Sequence, residues 1–178
     1  MKALVLAAGK STRIAARAGG LPKPLIAING RPILLRMLEW LVEHDISPVW
    51  INLHYKPESI RDAVKGSQYA DLDIRFSHER ELLGTAGAVK NLEAEWTEPF
   101  LLVYGDNLLG FDIADMVASH RASGAALTMA LFHWEIDLHS QIAGGRVECD
   151  EEMRVAKFTE SAVADSFVSP WVNAGVYV

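Results

Sequence analysis

Apolar positions along the chain fall into two kinds of run, short continuous stretches and stretches with a three-to-four-residue period. Leu4 to Ala8 (LVLAA) is a continuous run of strand length. Asn29-Gly30 signals a turn, and Arg31-Pro32 opens a helix in which Ile33, Leu34, Met37, Leu38, Leu41 and Val42 share one buried face. Ser47-Pro48 breaks it, and Val49 to Leu53 (VWINL) follows as a strand. Pro57-Glu58 starts a second helix that runs to Lys65 and stops at Gly66. Leu72 to Phe76 alternates as a strand, and Phe100 to Tyr104 (FLLVY) reads as a buried one. Ile113 to Ser119 is helical, with Gly124 closing that segment before the strand Ala126 to Phe132. Gly144 to Glu148 and Arg154 to Phe158 flank the acidic turn Asp150-Glu151-Glu152 as a hairpin, and Trp171 to Val178 is a last strand. Strands separated by helices predict an α/β fold, a Rossmann-like, mixed, mostly parallel sheet flanked by helices. No repeat, low-complexity segment or linker divides residues 1–178, so one domain is expected.

The first loop carries the strongest chemical signal. After the strand the chain turns at Gly9 and places Lys10, Ser11, Thr12 and Arg13 together, with Lys23 following between Pro22 and Pro24. Small residues let backbone N–H groups approach an anion, the cations balance its charge, and the flanking prolines restrict where Lys23 points. Ligands of open α/β sheets bind at such loops, beyond the carboxyl ends of the strands. Gly9-Lys10-Ser11 matches the end of a GxxxxGK[ST] phosphate loop, but that motif needs a glycine where Leu4 stands in the strand. A second candidate is Ser77 to Val89 (SHERELLGTAGAV), a glycine-rich helix start that offers bare backbone N–H groups; its plain alternative is a flexible helix entry. A third is Gly105-Asp106, which puts a carboxylate at the end of a buried strand; its plain alternative is a turn residue.

Composition narrows the classes. A net charge of −6 argues against a duplex nucleic-acid binder, so polyanion affinity is expected only at the first loop. Cys149 is the single cysteine; it excludes an intrachain disulfide and reads as a structural thiol. His120, His133 and His139 fit no zinc-ligand spacing. The apolar run after Met1-Lys2 is too short for a signal peptide, and none reaches membrane-spanning length, so the expectation is a cytoplasmic protein without a membrane partner.

LAAGKSTRI followed by PKPL, with ten positions from Arg13 to Lys23, resembles the signature of the sugar-1-phosphate nucleotidyltransferases, although Ser11 stands where that family usually has Gly. ExExLGTAGA resembles its second motif, especially in mannose-1-phosphate guanylyltransferases, where Pro is common at the position of Leu82. YGD at Tyr104–Asp106 resembles the family's NGD, Gly145 and Glu160 match its YGxV…FxEKP segment, and WVNAGVYV resembles its NAGIY strand. Ser161 and Ala162 depart from the usual Lys and Pro.

The resemblance implies the nucleotide-diphospho-sugar transferase fold and a reaction that makes an NDP-sugar and pyrophosphate from a nucleoside triphosphate and a sugar 1-phosphate. It implies catalytic roles for Arg13, Lys23 and Asp106, with Asp106 holding Mg²⁺. It implies nucleotide contacts from Leu6, Ala7, Ala8, Gly9, Lys10, Ser11, Thr12, Glu79, Gly84 and Thr85, and sugar contacts from Gly145, Glu160 and Asn173. Glu79 falls where pyrimidine-using relatives often carry Gln. A carboxylate offers two acceptors to the two adjacent donors of guanine, so GTP is expected, with mannose 1-phosphate or a related sugar. The alternative for Glu79 is a solvated loop residue, with Glu81 or backbone groups reading the base. For function the alternatives are a uridylyltransferase for an N-acetylated amino-sugar 1-phosphate and a non-catalytic nucleotide- or NDP-sugar-binding regulatory domain. The family's second metal-binding Asp lies beyond its NAGIY strand, so either this sequence is truncated after Val178 or that ligand is missing. Homo-oligomer formation is left open.

Overall fold

The computed structural model describes residues 1–9, 19–137, 139, 144–160 and 169–178. Its strands are β1 (Ala3–Leu6), β2 (Ala27–Ile28), β3 (Arg31–Pro32), β4 (Val49–Leu53), β5 (Ile74–His78), β6 (Leu101–Tyr104), β7 (Met129–His133), β8 (Arg146–Cys149), β9 (Val155–Thr159) and β10 (Trp171–Tyr177). Its α-helices are α1 (Ile33–Glu43), α2 (Pro57–Lys65), α3 (Gly84–Asn91) and α4 (Ile113–Ser123).

Among the described residues, eight strands form one sheet in the order β5-β4-β1-β6-β10-β8-β9, with β7 also paired to β10. β5, β4, β1 and β6 are parallel neighbours. β10 pairs antiparallel with β6, β7 and β8, and β9 pairs antiparallel with β8. Only β9 and β10 therefore run against the other strands, which bears out the mixed, mostly parallel sheet. β2 and β3 form a separate two-residue hairpin across the Asn29-Gly30 turn.

β1 is apolar on both faces because both faces are covered. Ala3 and Val5 join a core built with α1, α2 and α4, while Leu4 packs on the opposite side with Ala88 of α3 and Leu102. A central parallel strand between helical layers reads as a continuous apolar run for this reason. Helix α1 buries Ile33, Leu34, Met37, Leu38, Trp40 and Leu41. Val42 differs from expectation and is exposed, because Trp40 turns inward, packs on Phe111 and donates its indole N–H to the Phe111 carbonyl. Pro57 and Gly66 bound α2 as the sequence suggested, and Gly66 N donates to Asp62 O. α4 runs past Ser119 to Ser123, capped by Asp112, whose side chain accepts from Ala114 N, and closed by Gly124 at φ +60°.

Two strands are displaced from their expected positions. β5 begins two residues later than Leu72, which is exposed, and ends in the polar pair Ser77-His78. Its register against β4 sets this, with Val49 opposite Ile74 and Leu53 opposite His78. β7 begins at Met129 rather than Ala126, since the chain leaving Gly124 stays exposed at Leu127 and joins the sheet where Thr128 exchanges backbone hydrogen bonds with Val178. The β8–β9 hairpin is close to its expected limits. Asp150 Oδ1 holds the turn by accepting from Glu152 N and Arg154 N.

Candidate active site

The carboxyl ends of β1, β4 and β6 open onto a cleft of about 340 Å³. One wall is the end of β1 and the start of the first loop, Leu6 to Gly9; another is Leu82, Gly84 and Thr85 at the entry to α3. Lys23, Pro24, Asn52, Tyr104, Asp106 and Glu160 complete the lining. A larger hollow of about 580 Å³ lies against α1, between Trp40, Glu43 and His44 on one side and Leu109 to Asp112 on the other. It contains none of the candidate site residues, and the smaller cleft contains most of them.

Lys23 starts a single 3₁₀ turn, Lys23–Leu25, in which Pro24 and Leu25 are buried. That buried turn anchors the lysine beside the cleft, where Nζ forms an ion pair and hydrogen bond with Asp106 Oδ2. Asp106 follows β6 in a turn that depends on Gly105. A Cβ at Gly105 would lie 2.9 Å from the Leu6 carbonyl oxygen and 3.1 Å from Val5 Cγ1, both fixed within the sheet. The hydrogen at this position lets Gly105 N donate to Leu6 O, which brings Asp106 alongside the end of β1. Gly105→Ala is expected to lose about 1–3 kcal/mol of stability, the usual cost of overpacking, measured by urea denaturation.

Helix α3 begins at Gly84 with no side-chain hydrogen bond capping it. Gly84 and Thr85 thus bring an uncapped helix start to the cleft, an arrangement suited to phosphate or base oxygens. Ala7 and Ala8 line the cleft too, but their N–H groups donate to Asn52 Oδ1, at 2.7 and 3.2 Å. They shape the wall and do not donate into it. Lys10, Ser11, Thr12 and Arg13 lie outside the described residues, as do Ser161 and Ala162.

Three candidates do not line the cleft. Glu79 is 3% exposed and lies behind the lining. Its Oε1 accepts from Asn52 Nδ2 at 2.8 Å and its Oε2 from Leu83 N at 3.0 Å, so the solvated alternative does not match its position. Asn173 also lies off the cleft lining. Its Oδ1 accepts from Gly175 N and its Nδ2 donates to the Tyr177 hydroxyl, local bonds that occupy the amide within its own strand. Gly145 is another residue outside the lining; a Cβ there would stand 2.5 Å from the Phe158 ring, so its small size serves packing in the β8–β9 hairpin. Glu160 does reach the cleft.

Sequence reasoning missed Asn52 and Tyr104 as site residues. Tyr104 stacks obliquely on Tyr177, whose hydroxyl lies 3.4 Å from its own. Burial, then the hydrogen bond to Tyr104, push the Tyr177 phenol well above its ordinary range, so it stays protonated and able to donate.

A metal at this site would meet hard oxygen donors among the lining residues, Asp106 and Glu160. Among the described residues no group of three or more His, Cys, Asp or Glu side chains could hold an ion. One or two carboxylates fit Mg²⁺, which keeps waters and substrate phosphates as its remaining ligands.

The family model for nucleotidyl transferases matches residues 2–178. The chain belongs to the nucleotidyl transferase family. Among curated members, a UTP–glucose-1-phosphate uridylyltransferase of Synechocystis is 28% identical over 190 residues, covering 100% of this chain and 48% of its own. Mannose-1-phosphate guanyltransferase beta-B of Xenopus laevis is 33% identical over 183 residues, covering 100% of this chain and 49% of its own. HddC of Yersinia pseudotuberculosis, solved in complex with GMP-PN, superposes with a TM-score of 0.80 at 25% identity, over 99% of this chain and 75% of that one. The chain spans about half the length of the curated family members it matches. The family is generally dependent on divalent metal, consistent with the oxygen donors of the cleft. Among the described residues no helix is long and apolar enough to cross a membrane.

Proposed function

We propose that this chain carries out nucleotidyl transfer to a sugar 1-phosphate, with GTP as donor and mannose 1-phosphate or a related sugar as acceptor, in the cytoplasm. The observation that carries this reading is the Lys23–Asp106 pair in a cleft walled by the end of β1 and the uncapped start of α3. A cation, a metal-suited carboxylate and two backbone walls are what a triphosphate and a second phosphate need when they meet. The LGTAGA sequence and the guanyltransferase relatives support GTP; the Synechocystis relative favours UTP as the second reading.

An oxygen of the sugar 1-phosphate attacks the α-phosphorus of the nucleotide, the α–β bridging bond breaks, and pyrophosphate leaves with that bond's electrons. The nucleophile is already anionic, so no general base is needed. The barrier comes from bringing two anions together, and positioning with charge neutralisation lowers it. Lys23 neutralises charge where the attacking phosphate meets the α-phosphate. Arg13 holds the β- and γ-phosphates, with backbone N–H groups of Gly9 to Thr12 beside it. Asp106 would hold Mg²⁺, which supplies charge neutralisation across the phosphate oxygens. Glu160 accepts hydrogen bonds from sugar hydroxyls.

Pyrophosphate release with a panel of nucleoside triphosphates and sugar 1-phosphates tests the reading. GTP with mannose 1-phosphate is expected to give the highest kcat/KM. A preference for UTP selects the second reading. Nucleotide binding without pyrophosphate release from any pair selects the regulatory alternative and overturns transfer.

A further inference from the structure

We propose that Asn52 and Glu79 form a buried positioning relay that ties the two backbone walls of the cleft together and sets their separation for the nucleotide. The inference rests on reading the cleft as a nucleotide site. It follows from four hydrogen bonds in sequence. Ala7 N and Ala8 N donate to Asn52 Oδ1, Asn52 Nδ2 donates to Glu79 Oε1, and Leu83 N donates to Glu79 Oε2. The first pair belongs to the β1 wall, and the last donor immediately precedes Gly84 in the α3 wall. Both residues are 3% exposed.

The chemistry allows one arrangement. Asn52 faces two N–H donors on one side and a carboxylate on the other, so its oxygen must point to the first and its amino group to the second. Turning the amide over would set donors against donors and oxygen against carboxylate. Glu79 is itself fixed in the main chain. Its N–H donates to Leu53 O, and its carbonyl accepts from His54 Nδ1 at 3.0 Å. Asn52 stands opposite Leu6 in the β1–β4 register, which puts its side chain within reach of the next two amides. The relay consumes the Ala7, Ala8 and Leu83 donors, which is how this carboxylate acts at the cleft without entering it.

A polarity exchange tests the relay. In Glu79→Gln, the new amino group must face either the Asn52 amino group or the Leu83 N–H, and two donors collide. In Asn52→Asp, two carboxylates meet. In the double variant Asn52→Asp/Glu79→Gln, the amide donates to the carboxylate, the carboxylate accepts from Ala7 and Ala8, and the amide oxygen accepts from Leu83. Each single variant is expected to weaken nucleotide binding by about tenfold or more, the effect of leaving a buried polar group unpaired. The KM for the triphosphate should rise more than kcat falls, and the GTP-to-UTP preference should stay unchanged. The double variant should recover most of the affinity, and amide exchange at Ala7, Ala8 and Leu83 should speed up in the single variants and slow again in the double.

A purely structural pair would lower the melting temperature and leave the affinity of the folded protein unchanged, which overturns the proposal. Parent-like binding by Glu79→Gln overturns it as well. So does a double variant that fails to fold, or that binds no better than the weaker single one. A changed GTP-to-UTP ratio in Glu79→Gln, with amide exchange unaltered, makes Glu79 a direct base reader and overturns it too. If the parent binds no nucleoside triphosphate, the proposed function fails, and amide exchange alone decides whether the relay ties the walls.

Discussion

Asp106→Asn is expected to lower turnover by about 10³-fold while leaving the fold intact. The substitution keeps the shape of the side chain and removes its charge. That charge has two tasks in the proposed reaction, to hold Mg²⁺ and to fix Lys23 through their ion pair. An amide oxygen is a weak ligand for a hard divalent cation, so metal affinity should fall together with rate. Titrating Mg²⁺ separates the two tasks. Partial recovery at high Mg²⁺ identifies lost metal affinity; the part that does not recover reports the misplaced lysine. The Asp106 side chain is 24% exposed and that of Lys23 41%, and exposed pairs of this kind contribute about 0–1 kcal/mol to stability. Melting temperature should therefore barely move. An unchanged Mg²⁺ dependence in the variant would remove Asp106 as the metal ligand.

The elements that hold this carboxylate were legible in the sequence because they are buried on both faces. β1, β4 and β6 are nearly continuous apolar runs, and a central parallel strand has no solvent side to interrupt the pattern. β5 lies two residues later than its apolar pattern predicts because its carboxyl end is polar. Ser77 is buried all the same, and its hydroxyl accepts from Asn91 Nδ2. Hydropathy cannot distinguish a polar residue satisfied inside from one facing water. The same difficulty hid Asn52, whose task depends on which strand becomes its neighbour. β4 pairs with β1, and that register comes from packing across the whole sheet, beyond what local pattern contains.

Glu79 and Asn173 show the converse. Their motif positions pointed to ligand contacts, yet the structure uses both polar groups to hold backbone: Glu79 across 4 residues to Leu83, Asn173 across 2 to Gly175. Spacing within a motif marks a residue as belonging to the site. Whether it faces the ligand or supports those that do depends on side-chain partners, which the sequence alone leaves open. Lys23 and Asp106 are the opposite case. They stand 83 residues apart in sequence, the resemblance implies a catalytic role for each, and the fold brings them into contact.

Lys23→Ala is expected to reduce kcat by about 10²–10³ at saturating substrates, the usual effect of removing one preorganised electrostatic contact at a reacting centre. The restriction to saturating substrates matters. A cation that only attracted the nucleotide would lower KM, and its loss would be overcome by adding more substrate. Lys23 is assigned to the point where two phosphates approach. The repulsion there is greatest in the transition state, so the loss should appear in kcat. Fold is not at stake, because Pro24 and Leu25, buried in the same 3₁₀ turn, remain to anchor the segment. Lys23→Arg gives a second reading of the same position. It restores the charge but presents a planar fork on a longer stem, so it should recover part of the rate and not all of it. The comparison requires pyrophosphate release and melting temperature for the parent and both variants. Near-normal kcat in Lys23→Ala, or a loss confined to KM, would move this lysine from the reacting centre to the binding of the nucleotide alone.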